Sequence, residues 1–405
     1  MQTGVLSRRL DRLRPAPGRA QAEPRPRIDH AAALSRELGG DVNRGVVVFE
    51  SRFAVSVSRA ELTALPYGVP VDAPLVCLDL ETTGLATASG TLAFLVGLGR
   101  WDGDILMVHQ LLLADHADEH ALLDLICERI PADAWLVTYN GKSFDWPLVV
   151  ARFRMHGRQP PPIAGHVDLL PIARQLWKHR LGSARLAAIE AEVCGVKRPH
   201  DLPGALVPDR YFTYLRSRHA GLLRDVVDHN RQDIVSLGLL VAELSSGDLA
   251  RFQPGDLLGL ARAYSRRSGH ADALRVIQHA LTGDAWTVRQ PATAALHRQL
   301  SAERARLLAR LGRRGEAFEA WLEIARRGGP GAAIAWLHVA RYREHIERDV
   351  ASALDACHEA AAVCGRARAW GDPMYAVERD LERRLPRLAR KVFAGRYERR
   401  VRSAA

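Results

Sequence analysis

The sequence predicts a mixed α/β layer domain followed by an all-α helical region, and two observations lead to this expectation. Between about residues 71 and 248, apolar runs of strand length alternate with segments of helical periodicity. After about residue 250 the strand signals stop and only helical runs remain. A chain of 405 residues is long enough for two or three domains.

We expect five segments along the chain. They are a basic tail without stable structure at 1–30, an extension at 31–70 that packs on the α/β domain, the α/β domain at 71–248, the helical-repeat domain at 249–395 and a basic tail at 396–405. The first segment is rich in Arg and Pro and has almost no apolar periodicity, which is typical of disordered chain.

The first half of the α/β domain is predicted to be a set of adjacent strands. A strand or hairpin is expected from "GVVVFESRFAVSV" at 45–57, and three more strands from "APLVCLDLE", "LAFLVGLGRW" and "ILMVHQLLLA". The last two are separated only by a tight turn at 102–104. Short connections require these three strands to run antiparallel.

Helices and strands then alternate. A helix is predicted from "DEHALLDLICERI", with Asp118 as its cap, and a second from "SFDWPLVVARFRMHG", which ends at Gly157. Between them "AWLVTYN" forms a strand that can return parallel to the first, and "HVDLL" at 166–170 adds a short one. Helices continue to about residue 246, so the domain is expected to contain a mixed sheet.

Three pairs of helical runs are predicted beyond residue 250, each pair joined by a Gly-rich or polar turn. A small residue (Ala273, Ala317, Ala353) lies near the start of each second run. This spacing resembles tetratricopeptide repeats of roughly 34 residues, whose stacked helix pairs leave a concave face for a protein partner. An irregular helical bundle is the alternative.

Charge and cysteine usage limit the class of protein. The net charge of +11 divides into +4 for 1–30, 0 for 31–70, −5 for 71–250 and +12 for 251–405, so the α/β domain is acidic. The basic ends could contact phosphates or simply reflect an Arg-rich composition. No run approaches the roughly 18 apolar residues of a membrane span, and we expect no secretory signal. Five scattered cysteines without C-x-x-C spacing favour a reducing cytoplasm over a zinc cluster.

Four carboxylates stand out in the α/β domain. Asp79 and Glu81 end a buried strand and project from one face, where their repulsion requires a nearby positive charge. Asp145 follows another strand, and Asp233 lies one helical turn from His229. Four carboxylates form a hard oxygen site suited to two Mg²⁺ or Mn²⁺ ions. A histidine beside them can accept a proton near neutral pH.

These residues lie in three motifs that together resemble a known family. "DLETTG" at 79–84, "NGKSFD" at 140–145 and "HNRQD" at 229–233 are similar to the three exonuclease motifs of the DEDD superfamily, which has a ribonuclease H-like fold. The longer stretches "DLETTGLATASGTLAFLVGLGRWDGD", "LVTYNGKSFDWPLV" and "DLPGALVPDRYFTYLR" resemble the YprB-type ribonuclease H-like domain, a probable exonuclease type that often carries tetratricopeptide-like repeats. The resemblance covers about residues 71–245.

The resemblance implies 3′→5′ hydrolysis of a nucleic-acid strand with two divalent ions. It assigns Asp79, Glu81, Asp145 and Asp233 as metal ligands and His229 as general base. The third motif departs from the family pattern, since it combines the histidine of one branch with the H-x-x-x-D spacing of the branch that uses tyrosine. The histidine assignment is therefore less direct than the four ligands.

Substrate contacts are expected around the same motifs. Thr82 and Thr83 would lie near the terminal nucleotide, and Asn140 is a further candidate. Phe144 could stack on a terminal base or pack in the core. The substrate would be DNA or RNA, with a single-stranded 3′ end favoured. Two alternatives remain, a non-catalytic nucleic-acid-binding or protein-interaction scaffold and a structure-specific endonuclease.

Other charged residues have two interpretations each. Asp168 could support the metal site from outside it or be a solvated helix cap. Five basic residues could position phosphates or form a solvated helix face: Lys178, Arg180, Arg185, Lys197 and Arg198.

Overall fold

The structure is a computed structural model that describes residues 29–59, 62, 67–84, 90–198, 202–282 and 291–404, with side chains left undescribed at 291 and 395–404. Nearly all of the tail predicted at 1–30 lies outside the described residues. The side chains of the tail predicted at 396–405 lie outside them as well.

Among the described residues, seven strands form one sheet, and the sheet is mixed as the sequence predicts. The strands are β1 (Asp41–Asn43), β2 (Val46–Ala54), β3 (Leu75–Thr82), β4 (Ala93–Asp102), β5 (Ile105–Leu113), β6 (Trp135–Thr138) and β7 (Gly165–Asp168). Their order across the sheet is β1-β2-β5-β4-β3-β6-β7. Strands β3, β4 and β5 are antiparallel, whereas β6 pairs parallel with β3 and β7 parallel with β6.

Strands β1 and β2 lie within the segment that we expected to pack on the α/β domain as an extension. Strand β2 pairs antiparallel with β5 along its whole length, from Val46 opposite Leu113 to Ala54 opposite Ile105. This part of the extension is therefore continuous with the sheet.

Helices flank the sheet and then continue alone to the end of the described chain. Those of the α/β part are α1 (His30–Leu38), α2 (Glu119–Arg129), α3 (Asp145–Met155), α4 (Leu169–Leu176), α5 (Lys178–Leu181), α6 (Leu186–Val193), α7 (Val207–Ser217) and α8 (Arg224–Leu244). The C-terminal helices are α9 (Pro254–Arg266), α10 (His270–Thr282), α11 (Pro291–Arg310), α12 (Arg314–Arg327), α13 (Ala332–Tyr342), α14 (Val350–Ala369) and α15 (Tyr375–Ala404).

The two faces of the central strand have different neighbours. Val76, Leu78 and Leu80 of β3 belong to a core shared with α2, α3 and α7. Cys77 belongs to a second core that includes α4, α8 and the C-terminal helices. Because side chains alternate along a strand, Asp79 and Glu81 face the same side as Cys77. Strand periodicity therefore aims both acids at α8.

Two glycines let α8 lie close to the sheet. A Cβ added to Gly97 of β4 would be 2.5 Å from Asn230 Oδ1, and one added to Gly99 would be 2.7 Å from Ile234 Cγ2. Larger residues at either position would push the helix away. The close approach matters because α8 carries the third motif.

The helical part packs directly on the α/β part through α4, α5 and α9. The side-chain amide of Gln175 donates to the carbonyl of Gly259, and Arg180 Nε donates to Asp256 Oδ1 at 3.1 Å. Both parts contribute to one apolar core. All five cysteines are free thiols. Across the described residues, no helix combines the length and the apolar character that crossing a bilayer requires.

Candidate nuclease site

The end of β3 carries the first pair of predicted ligands. The antiparallel register between β3 and β4 shifts between Glu81 and Thr82, where the strand leaves its regular pairing. Glu81 is nearly buried, and Asp79 is partly exposed. The two carboxylates thus lie at the edge of the buried sheet, facing α8.

Helix α8 brings the third motif to this strand end. His229 Nε2 lies 3.6 Å from Asp233 Oδ2 and 4.0 Å from Glu81 Oε1. The four-residue spacing places the histidine and the aspartate on one helix face, as the sequence predicts. One imidazole therefore lies between carboxylates from the first and third motifs.

Asp145 reaches the same strand end from the opposite direction. It is the first residue of α3, and the backbone N–H groups of Asp145 and Leu80 donate to its carboxyl. Burial raises the pKa of Asp145 to about 7, the negative charges of Asp168 and Asp233 add to the rise, and those two N–H groups oppose it. The contact with Leu80 ties the second motif to the first.

All four carboxylates act on one another. Burial raises the pKa of Asp79 well above its usual value, and the charges of Asp233, Glu81 and Asp145 raise it further. Burial also raises the pKa of Asp233, although His229 and Arg198 lower it. The negative charges of the other three acids therefore all act on Asp79.

A buried hydrogen-bond chain, not anticipated from the sequence, holds Asp79. Asn230 Nδ2 donates to Asp79 Oδ2 at 2.9 Å, and Gln110 Nε2 donates to Asn230 Oδ1 at 2.9 Å. Gln110 also donates to the carbonyl of Val227, so the amide orientations are fixed. A glutamine inside the apolar strand "ILMVHQLLLA" was the available signal.

Asp168 is a helix cap, but it is buried and does more than cap. Its carboxylate accepts from the backbone N–H of Leu170 at 3.1 Å, of Asn140 at 2.7 Å and of Lys142 at 3.2 Å. Asn140 has a φ of 70°, in the left-handed region that asparagine tolerates better than most residues. The solvated interpretation of Asp168 was wrong, since this side chain fixes the loop that leads to Asp145.

The residues predicted to contact the substrate lie around the site and differ in their hydrogen bonds and in their exposure. The Thr82 hydroxyl donates to the Gly84 carbonyl at 2.6 Å, and the Thr83 hydroxyl accepts from the Leu92 N–H at 3.0 Å. The ring of Phe144 is 49% exposed, so packing of this residue in the core, which the sequence left open, does not occur. Asn140 lies on the neighbouring loop, partly exposed.

Arg198 enters the site as a partly buried cation. Its guanidinium contacts both oxygens of Glu190 and donates to Asp233 Oδ1 at 2.5 Å. This residue does not lie on a solvated helix face. Arg180 is likewise paired, with Asp256 at the contact between the two parts of the chain.

The side chains of the site are of the chemical type that binds a divalent metal. Their positions in this structure do not form a coordination sphere. Four carboxylates are the oxygen donors that Mg²⁺ and Mn²⁺ prefer, and their mutual repulsion is what such a cation would relieve. Among the residues that the structure describes, no three His, Cys, Asp or Glu side chains stand so that they could hold an ion. Asp233 faces Arg198, and Asp79 accepts from Asn230. Side chains must therefore turn before the acids can share a cation.

Comparison with known proteins agrees with this geometry. Residues 76–245 match the RNase_H superfamily. The chain is also 39% identical over 173 residues to "Uncharacterized protein YprB" of Bacillus subtilis (strain 168). The alignment covers 42% of this chain and 42% of that relative, so it spans less than half of either protein.

The matched segment begins in β3 and ends just after α8, so it contains all three motifs and most of the sheet. The superfamily supports a nucleic-acid-processing hydrolase in general terms and, in general, the use of divalent metals. The segment 76–245 is thus similar to the RNase_H superfamily, and the mixed seven-stranded sheet with flanking helices, most of which it contains, fits a ribonuclease H-like fold.

Proposed function

We propose that this protein is a metal-dependent 3′→5′ exonuclease that hydrolyses phosphodiester bonds of a nucleic-acid strand. The observation that supports the proposal is the meeting of Asp79, Glu81, Asp145 and Asp233 at the end of β3, with His229 between two of them. Four gathered carboxylates are unfavourable in a folded protein unless a cation or a proton offsets their charge.

The four acids would hold two Mg²⁺ or Mn²⁺ ions. When bound, such a pair would supply positive charge that stabilises the attacking and leaving oxygens of the phosphodiester. The chain's own contribution is to position the carboxylates: Asn230 orients Asp79, and the loop held by Asp168 presents Asp145 at the start of α3.

His229 would accept the proton of the attacking water. Its Nε2 lies 4.0 Å from Glu81 Oε1 and 3.6 Å from Asp233 Oδ2, beside two of the proposed metal ligands. Because the sequence spacing departs from the family pattern, replacement of His229 is a separate test from replacement of the acids.

The substrate end would lie between the strand end and the loop at 140–144. The half-exposed ring of Phe144 can stack on an unpaired base, which favours a single-stranded 3′ end. Thr82 and Thr83 remain candidates through the turn that they stabilise. The C-terminal helices, which carry most of the positive charge, would bind a protein partner or guide the strand. The free thiols of all five cysteines suit a cytoplasmic location.

A degradation assay tests the function. Purified protein is incubated with single- and double-stranded DNA and RNA, labelled at either end, with Mg²⁺, Mn²⁺ or chelator. We expect stepwise shortening from the 3′ end that chelator abolishes. Asp79→Asn should reduce the rate at least about 100-fold while the protein stays folded, because loss of one carboxylate weakens metal binding.

The alternatives predict different results. Internal cuts at the earliest times would indicate an endonuclease. Binding without degradation in any metal would favour a scaffold. Degradation by Asp79→Asn at the wild-type rate would refute the assigned site.

A further inference from the structure

Arg198 belongs to a buried cluster with two carboxylates. Its side chain is 9% exposed, that of Glu190 is 0% exposed and that of Asp233 is 16% exposed. The guanidinium therefore neutralises one fully buried acid and one proposed metal ligand. A buried carboxylate without such a partner would be strongly unfavourable.

The two carboxylates hold the guanidinium unequally. Glu190 accepts two hydrogen bonds from Arg198, one from Nε and one from Nη2 at 2.8 Å. Asp233 accepts one, from Nη2. Glu190 also accepts from the hydroxyl of Ser236, which lies on α8 three residues beyond Asp233. The paired contact with Glu190 fixes the arginine, and the contact with Asp233 is the easier one to break.

The unequal contacts of Arg198 with Glu190 and Asp233 bear on how Asp233 could bind a metal. Asp233 Oδ1 points at Arg198, although Oδ2 lies 3.6 Å from His229. A divalent cation bound to Oδ1 of Asp233 has to replace the arginine contact, and one bound to Oδ2 has to share the carboxylate's charge with the arginine. The arginine itself can stay in place, because Glu190 still holds it.

We propose that Arg198 is a positioning residue that serves as the internal counter-ion of Asp233 and competes with the divalent cation for that carboxylate. The proposal rests on the proposed function, since it assigns Asp233 to the metal. In the metal-free protein Arg198 keeps the ligand in place. In the metal-bound protein it remains on Glu190, as a fixed positive charge beside the site that weakens metal binding.

The proposal predicts shifts of opposite sign in Mn²⁺ affinity. Glu190→Gln removes the acid that shares the arginine with Asp233, so more of the positive charge of Arg198 acts on Asp233, and the Kd for Mn²⁺ should rise by about tenfold. The double replacement Arg198→Met with Glu190→Gln removes both charges together, and the Kd should fall by about tenfold. Titration calorimetry and the electron paramagnetic resonance signal of free Mn²⁺ measure these constants without any substrate.

A matched control lies on the other face of the sheet. Arg152 pairs with the nearly buried Glu119 there, and the same double change, Arg152→Met with Glu119→Gln, should leave the Kd for Mn²⁺ unchanged. If the first double variant fails to fold, Arg198→Lys provides a second test. Lysine keeps the positive charge but cannot make the paired contact with Glu190. It should move the Kd for Mn²⁺ at least threefold from the wild-type value.

The outcomes separate this inference from the proposed function. Folded Glu190 and Arg198 variants that bind Mn²⁺ with the wild-type Kd would overturn the competition, provided that Asp79→Asn and Asp233→Asn still abolish binding. If the wild-type protein binds no Mn²⁺, or binds it equally well without those two acids, the proposed function fails as well.

Discussion

At the scale of single residues, the acids of the candidate site destabilise the metal-free fold. Burial and the neighbouring negative charges raise the pKa of Asp145 to about 7, which means that its ionised form is disfavoured in the folded chain. Asp145→Asn removes that unfavourable charge and keeps an oxygen that can accept from the Leu80 N–H. We expect its Tm without metal to exceed the wild-type value by about 2–4 °C at pH 7.5, measured by calorimetry in chelator.

The pH dependence of this effect has a definite sign. Asp145 has a folded pKa of about 7 and an unfolded pKa of about 3.9, so the folded chain binds more protons between these values. Wild-type stability in chelator should therefore decrease as the pH rises from about 4 to about 7. Asp145→Asn should lack this part of the decrease, and Mn²⁺ should stabilise only the wild type. Parallel pH profiles would contradict the raised pKa.

Gly97 offers a test of how α8, the helix that carries Asp233, packs on the sheet. An alanine Cβ there would be 2.5 Å from Asn230 Oδ1 and 2.7 Å from Ile234 Cγ1, both in the buried contact of α8 with the sheet. Gly97→Ala should lower the free energy of unfolding by about 1–3 kcal/mol, because the helix must shift. Displacement of Asn230 from Asp79 should also reduce nuclease activity by about tenfold.

The control for this change is Gly204→Ala. No atom lies within 4 Å of a Cβ at that position, so stability and activity should stay at wild-type values. Chemical denaturation and the degradation assay measure both variants. A fully active Gly97→Ala protein would show that Asn230 does not position Asp79.

The sequence drew attention to the acids of the candidate site, but not to the residues that contact them. Asp79, Glu81, Asp145 and Asp233 are conspicuous because each is an acid at the end of a strand or on an apolar helix. Asn230 and Glu190 have no such pattern. Their roles depend on which side chains of distant segments meet, and only the packing of α6 and α8 on the sheet determines that.

At the scale of elements, periodicity and turn residues identified the strands and helices well. The succession of β3 to β7 along the chain and the parallel pairing of β6 with β3 agree with the sequence prediction. The sequence left open how residues 45–57 attach, because a strand pattern does not say which neighbour it pairs with. The whole-length pairing of β2 with β5 is a long-range contact.

The loop between β6 and α3 is an element whose shape depends on Asp168. This carboxylate accepts three backbone N–H groups, two of them from the loop. Asp168→Asn substitutes an amide that cannot accept at both carboxylate oxygens, so one backbone N–H of the loop loses its partner. We expect a loss of about 1–3 kcal/mol in the free energy of unfolding.

Activity should fall more than stability alone would explain. Asp145 follows this loop directly, and a displaced loop moves that ligand from the strand end. At a temperature where Asp168→Asn is fully folded, its degradation rate should be at least about tenfold below wild type. A second variant, Asp168→Glu, retains the charge, but its longer side chain places the carboxylate in a different position. Its activity should therefore fall too. Normal rates in both variants would rule out a positioning role.

At the scale of the whole molecule, the α/β and helical parts share the apolar core on one face of the sheet. The contact depends on close approach of α9 to α4, where a Cβ at Gly259 would lie 2.4 Å from the backbone oxygen of Gln175. Backbone cannot move aside as a flexible side chain can. The sequence predicted two parts, but not that they pack together, because nothing local distinguishes Gly259 from a glycine in an exposed helix.

Gly259→Ala and Gly365→Ala should therefore have opposite effects, although both glycines lie inside helices. Alanine has the higher helix propensity by about 1 kcal/mol, and at Gly365 no atom lies within 4 Å of the added Cβ, so that variant should gain about this amount. At Gly259 the clash with the backbone of α4 outweighs propensity, and a net loss of about 1–3 kcal/mol is expected. Calorimetry should show a single transition for Gly365→Ala and a lower or divided transition for Gly259→Ala. Equal gains in both variants would mean that the two parts are not in contact at this position.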